Sequence, residues 1–283
     1  MKKILIAIDD ALLPEKAVDC ARSLSLPEEV SLTGIYVPKL KKIHVLVKEP
    51  EKVLAGTYPI SFASESSVDY EVITGEIPSE HKERFEEKCR QEGINFAMHT
   101  DDGDLSDELI RESLFADLLI IGVDTYQGHI GGKTQSRFLA PILRAAACPA
   151  LVTPGDYTGI ENVVVTYDGR KESVFAMKQF TQMFPDLAAK THVHIIEVNP
   201  SSKNHIEDIT LLEEFAKHHF RKYDTYHRDG DPAQKIISFA SQWSQPLIVM
   251  GAFGKKPFGG FFHQSVGMEV IAEGSFPVFV AHR

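Results

Sequence analysis

The sequence contains few cysteines, and their spacing matches no known cysteine motif. Only three occur among 283 residues, at Cys20, Cys89 and Cys148. An odd number without metal or redox spacing excludes a disulfide framework, a cysteine zinc site and a CxxC redox motif. We therefore expect a reduced protein of the cytoplasm.

Long apolar stretches are also missing. No segment approaches the roughly 20 apolar residues that a membrane-spanning helix requires. The first residues, "MKKILIAIDD", have lysines before an apolar run, but Asp9 and Asp10 end that run too early for a signal peptide. We expect a buried first strand here and no membrane partner.

Positive charge is in deficit, with 30 lysines and arginines against 40 aspartates and glutamates and a net charge of −10. Such a surface repels nucleic acid, so we expect no nucleic-acid partner. The sequence contains no G-x-S-x-G, HExxH or P-loop GKS pattern, and therefore predicts no hydrolase nucleophile or metal.

An internal duplication is the strongest positive feature of the sequence. Several short segments recur in the same order. Residues 3–10 recur at 162–169, an offset of 159; "DGDLSDELI" recurs as "DGDPAQKII", an offset of 127; and "DLLIIG", ending at Gly122, recurs as "QPLIVMG", ending at Gly251, an offset of 129. We predict two domains of common design, at residues 1–155 and 159–283, joined where Pro, Gly and Asp cluster.

The first copy contains an insertion. The offset between the copies falls from 159 to 127, a difference of 32 residues, between the second strand and the "DGD" segment. The extra residues lie at about 39–75, after the strand "VSLTGIYV". Because they leave from the carboxyl end of that strand, we expect them to lie over or beside the mouth of the first domain.

Each copy alternates short apolar runs with helical patterns, as in "VVVTY", "ESVFAMKQFTQMF", "THVHIIEV" and "LLEEFAKHHFRKY". Strands without polar alternation are buried on both faces, which predicts an α/β protein with two doubly wound, mostly parallel five-stranded sheets. Ligands bind such sheets beyond the carboxyl ends of the strands. In the second copy Asp168, Val198, Gly230 and Gly251 lie at those ends.

The loop after Gly251 has features of a phosphate-binding loop. Gly251 and Gly254 allow the backbone to turn and to approach a ligand closely. Gln264 and Ser265 then open a predicted helix, whose first N–H groups attract anions.

This arrangement resembles the universal stress protein family in its tandem form, over nearly the whole chain apart from the insertion. The family signature is G-x2-G-x9-G-[ST], with a G-x-P motif before the third helix, here Gly230-Asp231-Pro232. The second copy keeps Gly251, Gly254 and Ser265 but has Gln264 in place of a glycine.

The resemblance implies an adenine nucleotide (ATP, ADP or AMP) in the second copy, with Mg²⁺ if ATP is bound. Asp168 is expected against the adenine or ribose, and Val198 against the adenine. Gly251 and Gly254 are expected under the ribose and phosphates. The phosphates are expected at Ser265 and the neighbouring residues Gln264 and Val266.

The first copy matches the signature less well, because Thr125 replaces its second glycine and Gln135 its third. A β-branched residue is a poor occupant of a turn that requires positive φ. We therefore predict a degenerate first site and one nucleotide per chain. The residues of that degenerate site are Asp9, Val37, Gly122, Gln135 and Ser136.

The sequence is also compatible with functions other than nucleotide binding. Because Gln stands at both third glycine positions, the chain could instead be an interaction or scaffold protein that acts through dimerisation without nucleotide. Enzyme activity is expected to be at most slow ATP hydrolysis. Single-domain family members pair through the last strand of each sheet, so the resemblance implies an internal pseudo-dimer, with a homodimer of whole chains as a further possibility.

Three more specific alternatives are disfavoured. A phosphoacceptor receiver domain needs further carboxylates and a lysine at later strand ends, and adenylating enzymes need a glycine-rich loop after the first strand. His192 and His194 lie on one face of a strand and suggest zinc, but no third ligand stands at metal spacing. We expect partly exposed strand histidines and no metal.

Overall fold

The computed structural model describes residues 2–8, 14–24, 30–36, 79–100, 105–123, 135–155, 159–199, 206, 208–251 and 262–282. The predicted insertion at 39–75, and the predicted site residues Asp9, Val37 and Gly254, lie outside them.

The first half alternates strands and helices. The strands are β1 (Lys2–Ile8), β2 (Val30–Tyr36), β3 (Asn95–Thr100), β4 (Leu118–Gly122) and β5 (Ala150–Thr153). The helices are α1 (Pro14–Ser23), α2 (Ser79–Gln91), α3 (Leu105–Ser113) and α4 (Gln135–Ala145). The central strands form because their apolar residues are buried on both faces; every residue of β4 is buried.

Among the described residues, the second half repeats this order with one additional helix. Its strands are β6 (Asn162–Tyr167), β7 (His192–Asn199), β8 (Lys222–Asp229), β9 (Pro246–Gly251) and β10 (Val278–Ala281). Its helices are α5 (Lys171–Met183), α6 (Pro185–Lys190), α7 (Ile209–His219), α8 (Pro232–Ala240) and α9 (Phe262–Ala272).

The ten described strands form one sheet in the order β3-β2-β1-β4-β5-β10-β9-β6-β7-β8. All neighbours are parallel except β5 and β10, which pair antiparallel with Leu151 opposite Phe279. Each half is thus a doubly wound five-stranded unit, as predicted, and the two units are joined through their last strands, the pairing that the resemblance implied.

Core and helix packing support this junction. Within the second half, Phe279 of β10 contacts Phe180 and Phe184 at the end of α5, with ring centroids 6.0 and 5.6 Å apart. Helices α4 and α9, one from each half, also pack together. The core therefore continues from one half into the other.

Strand register relates the two halves residue by residue. Lys3, which aligns with Asn162 in the repeat, lies opposite Ser31, and Ser31 lies opposite Asn95. Asn162 lies opposite His192, which lies opposite Lys222. Two residues further along, Thr33 and Ala97 of the first half correspond to His194 and Asp224 of the second.

The three cysteines are buried and unpaired. Burial raises the pKa of the Cys20 and Cys148 thiols to about 12 and that of Cys89 to about 11. They are therefore core residues, not nucleophiles. Among the described helices, none is both long and apolar enough to cross a bilayer.

Three sequence-based element predictions need correction. The helical pattern "LLEEFAKHHFRKY" includes the start of a strand, because α7 ends at His219 and β8 begins at Lys222. Helix α6 was not predicted; Pro185 occupies its first turn, where a missing N–H costs nothing. Helix α9 begins at Phe262, three residues before the predicted start at Ser265.

Candidate functional site

The second half has its switch point between β6 and β9. From β6 the chain passes to β7 on one side and returns later to β9 on the other. Asp168 directly follows β6, and Gly251 is the last residue of β9. Two of the predicted site residues therefore lie at the carboxyl ends of the strands that flank the crevice, the position where open α/β sheets bind ligands.

Asp168 is half-buried and participates in the turn that starts α5. Its Oδ1 accepts a hydrogen bond from the Arg170 backbone N–H at 3.0 Å. The Ser173 hydroxyl donates to the Arg170 carbonyl at 2.9 Å. Gly169 in this turn has φ of 73°, which favours glycine. Asp168 thus stabilises the turn at the mouth of the crevice.

Gly251 has a packing role that the sequence did not reveal. A Cβ at this position would lie 2.2 Å from the carbonyl oxygen of Glu172 and 2.6 Å from the backbone nitrogen of Ser173. The end of β9 therefore packs directly on the first turn of α5. Only glycine permits this contact, whether or not a ligand is bound.

The other predicted residues of the second site lie on two elements. Val198 is in β7 and Val266 in α9, and both pack partly against the core. Gln264 and Ser265 lie in the first turn of α9. Since the first four N–H groups of a helix have no intrahelical partner, this turn offers donors to an anion.

In the first half, Gly122 ends β4, and Gln135 and Ser136 are the first two residues of α4. They occupy the same places in the topology as Gly251, Gln264 and Ser265. The remaining residues of the predicted degenerate site are outside the described part of the chain.

The G-x-P motif has a structural explanation. Gly230 has φ of 127°, the Asp231 carboxylate caps α8 by accepting from the Gln234 N–H at 2.9 Å, and Pro232 is the first helical residue. This combination fixes the turn from β8 into α8.

Sequence reasoning missed an acid–histidine pair at the ends of β7 and β8. Glu197 is buried, and its Oε2 lies 3.0 Å from Nδ1 of His227, the residue opposite it in the sheet. Asp229 Oδ1 lies 3.4 Å from Nε2 of the same ring. The acidic residue inside the apolar run "HIIEV" was the available signal, but the partner depends on the register of β8.

A second polar cluster lies on the face of β7 and β8. Nε2 of His192 is 2.7 Å from Oδ2 of Asp224. The expectation of partly exposed histidines is wrong for His194, which is completely buried. Its ring is covered by Trp243, which stacks on it with centroids 3.6 Å apart and planes inclined by 16°.

The environment of His194 favours the neutral imidazole. Burial, and then the neighbouring His192, lower the pKa of His194 to about 4. Its Nε2 lies 3.3 Å from Oδ1 of Asn162, and among the described residues its Nδ1 has no hydrogen-bond partner. The polar face of β7 thus contains a buried, uncharged histidine, whereas the corresponding position of β2 is Thr33.

Fold and crevice together define a class of protein, the tandem α/β protein with two doubly wound halves in one sheet. The sequence model of the universal stress protein family matches residues 159–282. This chain therefore contains a universal stress protein domain at these residues, and its first half repeats the same topology.

Solved structures share the fold over the full length of the chain. A universal stress protein from Archaeoglobus fulgidus is 15% identical, with a TM-score of 0.60, and covers 100% of this chain and 96% of its own. A protein of unknown function from Pseudomonas aeruginosa is 15% identical, with a TM-score of 0.56, and covers 100% and 92%.

The cytoplasmic domain of a prokaryotic cation chloride cotransporter is 9% identical, with a TM-score of 0.51, and covers 99% and 94%. At these identities the likenesses show the fold alone. No curated protein matches the sequence.

Proposed function

We propose that the chain is a nucleotide-binding stress-response regulator of the cytoplasm that binds one adenine nucleotide (AMP, ADP or ATP) in its second half. One observation carries the proposal: within a domain of the universal stress protein family, Asp168 and Gly251 flank the crevice between β6 and β9. Helix α9 follows β9 in the chain. Because a helix that follows a parallel strand starts at the carboxyl edge, the first turn of α9 faces the same crevice.

The residues are assigned by position. Asp168 and Val198 would contact the adenosine, with Gly251 and Gly254 under the ribose and phosphates. The phosphates would bind at the first turn of α9, which contains Gln264 and Ser265 and is followed by Val266, with Mg²⁺ neutralising charge if the ligand is ATP. The bound nucleotide would act as a signal, with hydrolysis at most slow.

We expect weak binding that depends on the number of phosphates. Gln264 places a side chain where a signature glycine would let the backbone approach the β- and γ-phosphates. The adenosine end of the crevice is not affected by this residue. AMP and ADP should therefore lose less affinity than ATP, relative to a site with the full signature.

Residues 1–155 are, on this proposal, a second domain of the same design whose site has degenerated, with Asp9, Val37, Gly122, Gln135 and Ser136 at the corresponding positions. The insertion at about 39–75 would cover its mouth. The domains form the internal pseudo-dimer, and whole chains would pair as a homodimer.

A scaffold protein without nucleotide is the second candidate. The observation that favours it is the continuous sheet through β5 and β10, which joins the halves by backbone pairing. On this alternative the family fold serves association, and Asp168 and Gly251 only stabilise the start of α5.

Titration calorimetry of the full chain with AMP, ADP and Mg-ATP tests the proposal. We expect one site per chain and weak affinity, with a smaller loss for AMP and ADP than for Mg-ATP relative to a site with the full signature. Gly254→Val should abolish binding through the backbone, whereas the matched change Thr125→Val in the first half should have no effect. Two equivalent sites, or binding that survives Gly254→Val, would contradict the assignment, and no binding at all would favour the scaffold function.

A further inference from the structure

We propose that His192, His194 and Asp224 form a binding site for a divalent transition metal ion of the zinc type, on the face of β7 and β8. One ring nitrogen from each histidine and a carboxylate oxygen of Asp224 all lie within 4.8 Å of one another. This site is separate from the proposed nucleotide crevice and does not depend on it.

Strand geometry brings the three side chains together. His192 and His194 are two residues apart on β7, so they point to the same face of the sheet. Asp224 on β8 lies directly opposite His194 in the parallel register and shares that face. The ring centroids of the two histidines are 4.1 Å apart.

Hydrogen bonds around Asn162 orient His194 as a ligand. The Asn162 Nδ2 donates to the Ser244 carbonyl at 2.8 Å, so its Oδ1 is the atom that faces His194. Since an amide oxygen can only accept, the His194 Nε2 must carry the proton in their 3.3 Å contact. The lone pair is therefore on Nδ1. Metal-binding histidines in proteins are commonly oriented by donating their other N–H to such an acceptor.

The Nδ1 of His194 is an unsatisfied polar atom in a buried position. Within the described part of the chain it has no hydrogen-bond partner, and neither does the indole Nε1 of Trp243, whose ring stacks on His194. A buried acceptor without a partner destabilises the folded state because its desolvation is not compensated. A metal ion bound to Nδ1 would satisfy the lone pair.

The present distances fit the metal-free state. Nε2 of His192 and Oδ2 of Asp224 are 2.7 Å apart, as in a hydrogen bond. Two ligands at about 2.1 Å from a tetrahedral ion are separated by about 3.4 Å. Metal binding thus requires these two atoms to separate by about 0.7 Å and to present their lone pairs to the ion.

The ligand types select the metal. Two imidazoles and one carboxylate are typical of zinc, and Ni²⁺, Co²⁺ and Cu²⁺ also bind such sets, whereas Mg²⁺ and Ca²⁺ prefer all-oxygen sites. Three protein ligands leave a fourth position for water. Asp224 is half exposed and gives an ion access to the site from solvent.

The duplication provides an internal control for stoichiometry. The residues that correspond to His192, His194 and Asp224 are Ser31, Thr33 and Ala97, by the register of each half. Neither a hydroxyl pair nor an alanine can replace two imidazoles and a carboxylate. The proposal therefore predicts one metal ion per chain.

The main test is a zinc titration of the full chain, without an affinity tag and after chelator treatment, in competition with a chromophoric chelator. We expect one equivalent of Zn²⁺ per chain. Asp224→Asn and His192→Gln should each weaken binding at least about tenfold, as expected for loss of a ligand or of its support. His218→Gln, at an exposed histidine of α7, is the matched control and should leave the affinity unchanged.

Trp243 provides a second, independent readout because it is the only tryptophan in the chain. Cu²⁺ bound beside the stacked His194 ring should quench its fluorescence, and quenching should saturate at one equivalent. In Asp224→Asn, one equivalent of Cu²⁺ should no longer quench the tryptophan fluorescence, while the circular dichroism spectrum stays native.

The proposal would be overturned if Zn²⁺ fails to bind the native chain. It would equally be overturned if the folded Asp224→Asn and His192→Gln variants bind as tightly as the native chain, or if His218→Gln weakens binding as much as they do. Asp224→Asn keeps the test valid even if changes at the buried His194 prevent folding.

Discussion

The second strand of each half has the same place and register but a different polar face. In the first half the face presents Ser31 and Thr33, whereas in the second it presents His192 and His194. Both strands lie between the first and third strands of their unit. The backbone therefore does not decide what this face binds; the side chains placed on it do.

The residues on the strands next to β2 and β7 also differ between the two halves. Lys3, at the position of Asn162, donates from Nζ to Glu112 Oε2 at 2.9 Å, and Glu112 Oε1 also lies 2.8 Å from His99 Nδ1. These contacts lower the pKa of Glu112 against the opposing effect of burial. Lys3 of the first half thus belongs to an ion-pair network, whereas Asn162, the corresponding residue of the second half, orients His194.

Gly251→Ala is expected to have the largest effect on the molecule. The new methyl would lie 2.2 Å from a backbone oxygen of α5, which cannot move without shifting the helix, and we expect a loss of about 3 kcal/mol in the free energy of unfolding. Urea denaturation of the variant and the native chain measures this difference in the free energy of unfolding.

Gly34→Ala on β2 is the comparison in the first half. There the closest atom is Cε of Met98 at 2.8 Å, the end of a flexible side chain that can rotate away, and Cε1 of the buried Phe85 ring follows at 3.1 Å and needs to give by only a few tenths of an ångström. The loss should be about 1 kcal/mol. Equal losses for the two variants would mean that the contact between β9 and α5 is not rigid.

An intermediate effect is expected from Gln264→Gly. Restoring the signature glycine lets the backbone of α9 approach the phosphates, and one additional charge-assisted hydrogen bond would tighten Mg-ATP about tenfold while AMP changes less. Calorimetric titration of both nucleotides measures the difference. The paired change Gln135→Gly in the first half should alter the affinity for neither Mg-ATP nor AMP. If it tightens nucleotide binding, the first site is not degenerate.

The smallest expected effect is a loss of folding stability at acid pH that comes from His282, a residue near the junction between the halves. His282 follows β10, and burial lowers its pKa, opposed by the backbone of Leu143 in α4. The unfolded chain, with an ordinary histidine pKa near 6.5, binds more protons than the folded chain as the pH falls through that value. Folding stability contributed by neutral His282 is therefore present above about pH 6.5 and declines below it.

His282→Asn removes this titration. The melting temperature of the variant should fall less between pH 7 and pH 5.5 than that of the native chain. His218→Asn, at an exposed position, should follow the native pH dependence. Identical pH profiles for His282→Asn and the native chain would show that the junction does not respond to this proton.

Much of the fold could be predicted because its strands are buried on both faces. The runs "KILIAI", "LLIIG" and "LIVMG" are almost wholly apolar, and the duplication confirmed each by repetition in the sequence. The pairing of the last strands came from the resemblance alone, and nothing in "ALVT" or "VFVA" specifies an antiparallel partner.

The histidine cluster could not be predicted, because it depends on β8. That strand reads "KYDTYHRD", with exposed and half-exposed residues in place of an apolar run, since it lies at the outer edge of the described sheet. Without its register, Asp224 is 30 residues from His194 with no visible relation to it. The burial of His194 likewise depends on Trp243, which reaches it from beyond α8.

Gly251 shows a different limit of prediction from sequence, the interpretation of a glycine in a motif. A glycine in a signature suggests contact with a ligand, but here the nearest atoms belong to the chain itself. Sequence shows that a side chain is absent and does not show what occupies the space.

The pairing of β5 with β10 has a consequence for how the two halves can change over time. If identical chains met through this edge, every substitution would occur twice, once on each side of the symmetry axis. Here the two sides are encoded separately and are always present in equal number, whatever the protein concentration. A histidine pair can therefore arise on one side while the other keeps its serine and threonine, and a defect tolerated in one crevice is not imposed on the other.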